Sequence, residues 1–221
     1  MPYTFLSYPM DGRSPRPPAI PAPEITDFQT VEQDGASVQY VTFYNHTGTH
    51  LDTEAHVFST GISIEAFAPE DLIFRNVVIL SFDRQNKYHM IAADLEPYVD
   101  ILTTCDMAIV RFGVDGIRRN DHNRFSNMMP GFTCEAATWL REHCLKLRCL
   151  GTDLPSFAVI SDLDNTMHAH NVFLEGSAKK MLIIEEMNLG ALPEKIAEII
   201  ISPWLFTGMN SGPCTVWARY I

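Results

Sequence analysis

His46-Thr47-Gly48-Thr49-His50-Leu51-Asp52-Thr53-Glu54-Ala55-His56 holds three of the chain's eight histidines and two carboxylates within eleven residues. Imidazole and carboxylate at that density are the donor set of a divalent metal. Each polar candidate, His46, His50, Asp52, Glu54 and His56, occupies an even position, so a flat strand would line them all along one face. A flat strand would still fail to bring them together. At roughly 3.3 Å per residue His46 and Asp52 would stand about 20 Å apart, whereas ligands to one ion each approach to about 2 Å. The backbone must therefore bend, and Gly48, lacking Cβ, is the residue that permits a bulge or turn gathering His46, His50 and Asp52. A helix serves less well, because His46 and His50 share a face at i, i+4 while Asp52 and His56 point elsewhere. His56 is left as the natural base, since a neutral imidazole beside a metal-bound water moves protons at neutral pH.

Elements that could position this cluster flank it on both sides. Val38 to Phe43 alternates and is β-rich, which puts the cluster at a strand end or on the next strand. Asn76 to Phe82, Met107 to Phe112 and Met181 to Ile184 are continuous apolar runs suited to buried strands. Thr133 is an N-cap candidate, followed by Ala136, Leu140, Cys144 and Leu147 at helical spacing, which predicts a helix ending near Arg148. Leu150 to Asp153 reads as a short strand and loop, Ile196 to Ile201 as a strand stopping at Pro203, and Thr215 to Ile221 as a final strand. With strands outnumbering helices and no regular βαβ rhythm, the fold class is α+β or an irregular α/β sandwich. Five prolines between Asp11 and Pro23 predict an extended arm over residues 1–25.

At 221 residues the chain fits a single domain, 1–221. A formal charge of −11 with no basic run argues against nucleic acid as a partner. Five cysteines with no Cys-x-x-Cys read as buried or incidental thiols. No run approaches eighteen apolar residues and the first residues lack a signal-peptide pattern, so the expectation is a cytoplasmic protein that does not cross a membrane.

The spacing His-x-Gly-Thr-His-x-Asp-x-x-x-His, matched at every specified position from His46 to His56, resembles the metal-dependent cyclase-like hydrolases, the family of bacterial kynurenine formamidase and isatin hydrolase. Further segments fall in the order expected of it: NVVILSF, HMIAADLE, VRFG, MPGFTCEAATWL, LGTDLPS, AHNVFL, LIIEEMNLGAL and SPWLFTGMNSGPCTVWARY. The resemblance implies a swivelling β/β/α sandwich assembled as a homodimer or larger homo-oligomer. It implies His46, His50 and Asp52 as metal ligands, His56 as the catalytic histidine, and a second half-site from His170 and Glu185, with His168 and Glu186 as alternatives for those two places. One departure concerns the site itself: Thr53-Glu54 follows the aspartate where members cleaving formylkynurenine often carry Ala-Pro, which puts an extra carboxylate beside the site.

The chemistry implied is hydrolysis of a small carbonyl substrate, since a divalent ion lowers the pKa of bound water towards about 7 and the hydroxide attacks an amide carbon. Imidazole ligation favours zinc and, mixed with carboxylate, permits manganese. Asp52 has two oxygens and could bridge two ions, one on His46 and His50 and the other on His170 and Glu185, so one or two ions per chain are expected. An aryl formamide such as N-formylkynurenine, a cyclic amide or a lactone are the candidate substrates. A cyclase or dehydratase of polyketide-like substrates would use the same groups, and a non-catalytic metal- or ligand-binding protein is the third reading. Ser156 lacks a Gly-x-Ser-x-Gly elbow and reads as loop, Asp153 as a capping residue, His89, His122 and His143 as structural, and Trp204 and Phe206 as core or pocket lining.

Overall fold

The computed structural model describes residues 2–16, 19–82, 89–176, 179–190, 192–193 and 195–221. Within the arm expected at 1–25, Tyr3–Phe5 is a strand (β1) that pairs with the C-terminal strand. Pro17 and Pro18 lie outside the described residues. In chain order follow β2 (Glu24–Gln29), α1 (Val31–Asp34), β3 (Val38–Thr42), β4 (His50–Asp52), β5 (Ile73–Phe74), β6 (Val77–Ser81), α2 (Ala92–Leu95), α3 (Val99–Leu102), β7 (Met107–Arg111), α4 (Asp115–Asn120), α5 (His122–Asn127), α6 (Cys134–His143), β8 (Cys149–Thr152), α7 (Leu163–Leu174), β9 (Leu182–Glu185), β10 (Ile196–Pro203) and β11 (Ser211–Tyr220).

One mixed sheet runs β5-β10-β11-β4-β9-β8-β7-β6, with β1 added on β11. Its two edges, β5 and β6, are joined by Arg75-Asn76 alone. A link of two residues cannot span an open sheet of eight strands, so the sheet curls until its edges nearly meet. The fold is thus α/β, with a regular parallel block that the sequence pattern hides. Strands β6, β7, β8 and β9 pair in parallel, and every crossover between them carries helix. The helices of the first two crossovers, other than α6, are four to six residues long, too short for a 3.6-residue apolar period to show.

Burial on both faces explains the continuous apolar runs. Ala108, Val110, Leu150 and Ile183 face one core with Ala136, Leu140 and Phe173 of the helices. Met107, Ile109, Cys149, Leu182 and Ile184 face the other, inside the curled sheet, with Leu51, Ile199 and Val216. Helix α6 is capped as expected, Thr133 Oγ1 accepting from the Ala136 amide, but it ends at His143 rather than near Arg148. Cys144 leaves helical geometry (φ −100°, ψ 67°), while Cys144 and Leu147 remain buried through the turn that follows.

Gly48 is the bend ahead of β4. Its φ is +68°, a left-handed conformation in which an L side chain is strained, although added bulk would meet nothing nearer than Met10 at 3.8 Å. Gly48→Ala should therefore cost about 1–2 kcal/mol of stability through backbone strain alone. Gly48→Asn should cost less, because asparagine tolerates that region, and chemical denaturation of the two variants checks the order.

Candidate metal centre

Strand β4 is three residues long and carries the centre of the cluster. His50 and Asp52, two apart, point to the helix side of the sheet, while Leu51 between them is sealed in the core on the other side. Across the antiparallel pair with β9, His50 stands opposite Glu185, and His50 Nε2 lies 3.3 Å from Glu185 Oε2. Helix α7 covers this face and lowers His170 onto it, Nε2 being 3.2 Å from Glu185 Oε1. His46 arrives from the loop before Gly48, its Nδ1 3.2 Å from both Asp52 Oδ1 and His50 Nε2. The chain then leaves the strand and a 3-10 turn, Glu54–His56, brings His56 back: its ring centroid is 4.4 Å from that of His46 and 5.7 Å from that of His170.

His46, His50, Asp52, His56, His170 and Glu185 therefore converge while Glu54 does not, in a grouping that differs from the one expected. Ligand atoms of His46, Asp52 and His56 lie within 4.8 Å of one another, and so do those of His50, Asp52 and Glu185. Asp52 belongs to both sets, in the bridging place. His56 stands among the donors rather than apart from them.

Two carbonyls orient the imidazoles. A carbonyl only accepts, so the 2.9 Å contact from His50 Nδ1 to the Gly48 oxygen and the 2.7 Å contact from His170 Nδ1 to the Thr166 oxygen place a proton on each Nδ1. Both rings then present Nε2 to the cluster, the arrangement in which metal-binding histidines are held. The Phe157 amide donates to Glu185 Oε1 at 2.6 Å, which is what the loop containing Ser156 contributes here. Both oxygens of Asp52 are buried; Oδ1 has only the His46 and His50 ring nitrogens, at 3.2 and 3.7 Å, and no backbone or hydroxyl donor reaches either oxygen. A carboxylate removed from water in that condition is costly unless a cation compensates it, and the imidazoles and carboxylates around it are the donors a divalent ion takes.

The alternatives resolve on geometry. His168, two residues from His170 on a helix, falls on the opposite side and is exposed. Glu186 turns away, its backbone at φ 53°, and its carboxylate takes Nε and Nη2 of buried Arg118 at 2.9 and 2.6 Å. Glu54 is not a carboxylate facing the site, since its oxygens accept from the Gly176 and Ile62 amides at 3.0 and 3.3 Å. Asp153 caps a turn, accepting from the amides of Phe112, Gly113 and Val114. What the sequence reading missed is α7 itself. Its signal was Asp162, which caps it by accepting from the Asn165 amide at 3.1 Å, followed by Ala169 and Phe173 one turn apart and both buried.

Residues 5–159 match the model of the family described as "Putative cyclase". The chain belongs to that family. Kynurenine formamidase of Bacillus cereus (strain ATCC 10987 / NRS 248) is 23% identical over 207 residues, covering 86% of this chain and 83% of that protein. The fold is shared with isatin hydrolase A from Labrenzia aggregata (TM-score 0.81, 18% identity, 98% of this chain and 93% of that one). It is shared also with isatin hydrolase A from Ralstonia solanacearum (TM-score 0.79, 18% identity, 98% and 91%). In this cyclase-family chain the matched span contains His46 to His56 but ends before His170 and Glu185, so the second half of the cluster rests on the structure rather than on the family match.

Without a cation the cluster balances its charge with protons. Burial pulls His50 down, but the Glu185 hydrogen bond and the Asp52 and Glu185 charges outweigh it and raise the ring from 6.5 to about 9. His170 is raised on the same balance, burial opposing and Glu185 prevailing. Burial pushes Asp52 and Glu185 up, yet the surrounding histidines hold both carboxyls well below their usual range. The signs follow from linkage. The histidine contribution is complete below about pH 6.5 and is lost as pH rises through about 9. The carboxylate contribution is complete above about pH 4.5 and is lost on acidification. Denaturation of chelator-treated protein should thus show greatest stability near pH 5 to 6.5 and a decline towards pH 9. Metal affinity should rise over that same interval, with protons released on binding, measurable by calorimetry in buffers of different ionisation enthalpy.

Proposed function

We propose that the chain is a metal-dependent hydrolase that cleaves an amide or related carbonyl bond in a small molecule, with His46, His50, Asp52, His170 and Glu185 as the residues that hold the metal. The observation that carries this reading is the buried carboxylate of Asp52, which has imidazole contacts at Oδ1 and no backbone or hydroxyl donor on either oxygen, inside a ring of metal-binding side chains. The relatives' hydrolase activities support it. Zinc is the proposed ion from the imidazole-rich donor set, with manganese as the other fit, and two ions per chain if Asp52 bridges. A divalent ion bound there supplies Lewis acidity towards a carbonyl oxygen and acidifies water.

His56 supplies the base. Burial lowers its pKa against the opposing Asp52 charge, with the His46 and His170 charges adding to the lowering, so the ring is neutral at neutral pH and free to accept a proton. Taking that proton from the attacking water and giving it to the departing nitrogen completes an amide cleavage with no net change at the ring. His50 and His170 are not proposed for this role because, with each Nδ1 proton held on a carbonyl, the one basic nitrogen left on each ring, Nε2, is the atom turned to the metal.

An aryl formamide such as N-formylkynurenine and a cyclic amide such as isatin are the proposed first substrates, on the strength of the names of the similar proteins. Because Glu54 is bound to backbone amides, an anionic substrate meets no free carboxylate from that residue. Turnover by metal-loaded protein on N-formylkynurenine, isatin and simple lactones, assayed together, tests the reading. His56→Ala should lose about a hundredfold or more in turnover while keeping its metal. Loss of metal in that variant would make His56 a ligand, as its place beside His46 and Asp52 allows. Glu185→Gln should lower metal content while leaving the fold intact. Full metal loading with turnover on none of these compounds would move the assignment to cyclisation, dehydration or a non-catalytic role.

Self-association is proposed as well. In the β2-β3 hairpin, which forms its own sheet, Ile25 and Val41 pair on one face, Tyr40 opposite Thr26 stands on the other, and these three and Phe28 are all exposed; a two-stranded sheet that leaves apolar side chains in water on both faces marks an interface. Light scattering should give at least twice the chain mass of 24.9 kDa, and Phe28→Asp with Tyr40→Asp should return it to that value.

A further inference from the structure

A cavity of about 790 Å³ is lined by Tyr8, Pro9, Asp115, Arg118 and Arg119 among others, and by no residue of the metal cluster. Its size is that of a small-molecule site. At its base the Arg118 guanidinium lies over the Tyr8 ring, 3.6 Å from the ring centroid. Both are fixed: the Tyr8 hydroxyl donates to Asp115 Oδ1 at 2.7 Å, and Arg118 is locked to Glu186 through Nε and Nη2. Glu186 holds that pair from a left-handed backbone, a conformation that costs a side chain of its kind about 1–2 kcal/mol. Strain of this kind persists where surrounding structure enforces it and gathers at working sites.

The donors and acceptors on the wall do not balance. Both oxygens of Asp115 are taken, by Tyr8 and by Arg119 Nη2, and both oxygens of Asp11 accept from Arg13. Each guanidinium carries five N–H donors, and these bonds use only part of them. Among the described residues Arg118 Nη1, Arg119 Nη1 and Arg13 Nη1 are left without a close carboxylate partner. A ligand completing this wall must accept hydrogen bonds. Three arginines face three carboxylates once Glu186 behind Arg118 is included, so the wall has no net attraction for an anion; a ligand is held by directional hydrogen bonds from the spare N–H groups, and each uncompensated charge it brings is a cost, smaller for a monoanion than for a dianion. The cavity is far larger than a simple anion, and the Tyr8 ring and Pro9 give it flat apolar walls.

We propose that this cavity is a binding site for an organic monocarboxylate, its carboxylate on the spare Arg118 and Arg119 donors and its apolar body against Tyr8 and Pro9. The site does not depend on the hydrolase reading.

Benzoate is the probe, titrated by calorimetry and by amide chemical shifts into the full-length protein as purified, with inorganic phosphate in parallel. Saturable binding with a dissociation constant of low millimolar or tighter is expected. Arg119→Ala, at the exposed rim where folding should not be affected, should weaken it at least fivefold, and Arg118→Lys, which keeps charge but loses the planar fork, should weaken it further. Asp52→Asn, which disables the metal cluster, should leave benzoate affinity unchanged. Absence of saturable binding, undiminished binding in Arg119→Ala, loss of binding in Asp52→Asn, or tighter binding of phosphate than of benzoate would each overturn the proposal. Should Arg118→Lys fail to show a native circular dichroism melt, Arg119→Ala and Asp52→Asn decide between these outcomes.

Discussion

A carboxylate buried among imidazoles is the constraint around which this structure is organised. Asp52 is 1% exposed, and apart from the His46 and His50 ring nitrogens at 3.2 and 3.7 Å from Oδ1 no donor reaches either oxygen. Water would ordinarily stabilise such a charge, and a low-dielectric interior does so only through a compensating positive charge. Protonated imidazoles can do this in part, and the raised pKa of His50 is the signature of that arrangement. A divalent cation at the proposed site would do it more completely and would release those protons.

Rigidity around β4 gives the cluster its geometry. Leu51 is locked in the inner core, and antiparallel neighbours bracket the strand on both sides. The polar residues on either side are tied to backbone: Thr49 Oγ1 donates to the Glu186 carbonyl at 2.7 Å, and Thr53 Oγ1 to the Asn210 carbonyl at 2.7 Å. One hydroxyl thus joins the entry of β4 to the residue that follows Glu185. His50 and Glu185 cannot drift apart without breaking this link, their cross-strand pairing and the Phe157 amide contact together.

The half of the cluster lying within one short stretch was legible because its spacing was self-contained. Gly48 could be named as the bend from the distance argument alone, and its positive φ is where that argument placed it. His170 and Glu185 were of a different kind, since no local pattern links them to His46, and only the family resemblance pointed to them. The choice between His168 and His170 needed the phase of a helix that the sequence reading left unrecognised. The parallel block was obscured for a related reason: crossover helices of four to six residues leave no apolar period, although the strands between them were visible as apolar runs.

The even-numbered polar positions from His46 to His56 suggested a single face, but only His50 and Asp52 obtain their common direction from strand alternation. His46 owes its place to the left-handed turn at Gly48. His56 owes its place to a 3-10 turn, in which residues three apart stack and the His56 amide donates to the Thr53 carbonyl at 3.0 Å. Glu54 sits one residue beyond the end of alternation, and the same turn that returns His56 carries Glu54 away to the Ile62 and Gly176 amides. Periodicity thus collected histidines that converge through two separate bends, and added a carboxylate that belongs to loop anchorage. The functional consequence is electrostatic. With Glu54 withdrawn, the ionisable groups left in the cluster from this stretch are three imidazoles and one carboxylate, and that carboxylate is enclosed by them. A cation bound there would leave the site without net negative charge, so a carbonyl compound bearing its own carboxylate could approach it.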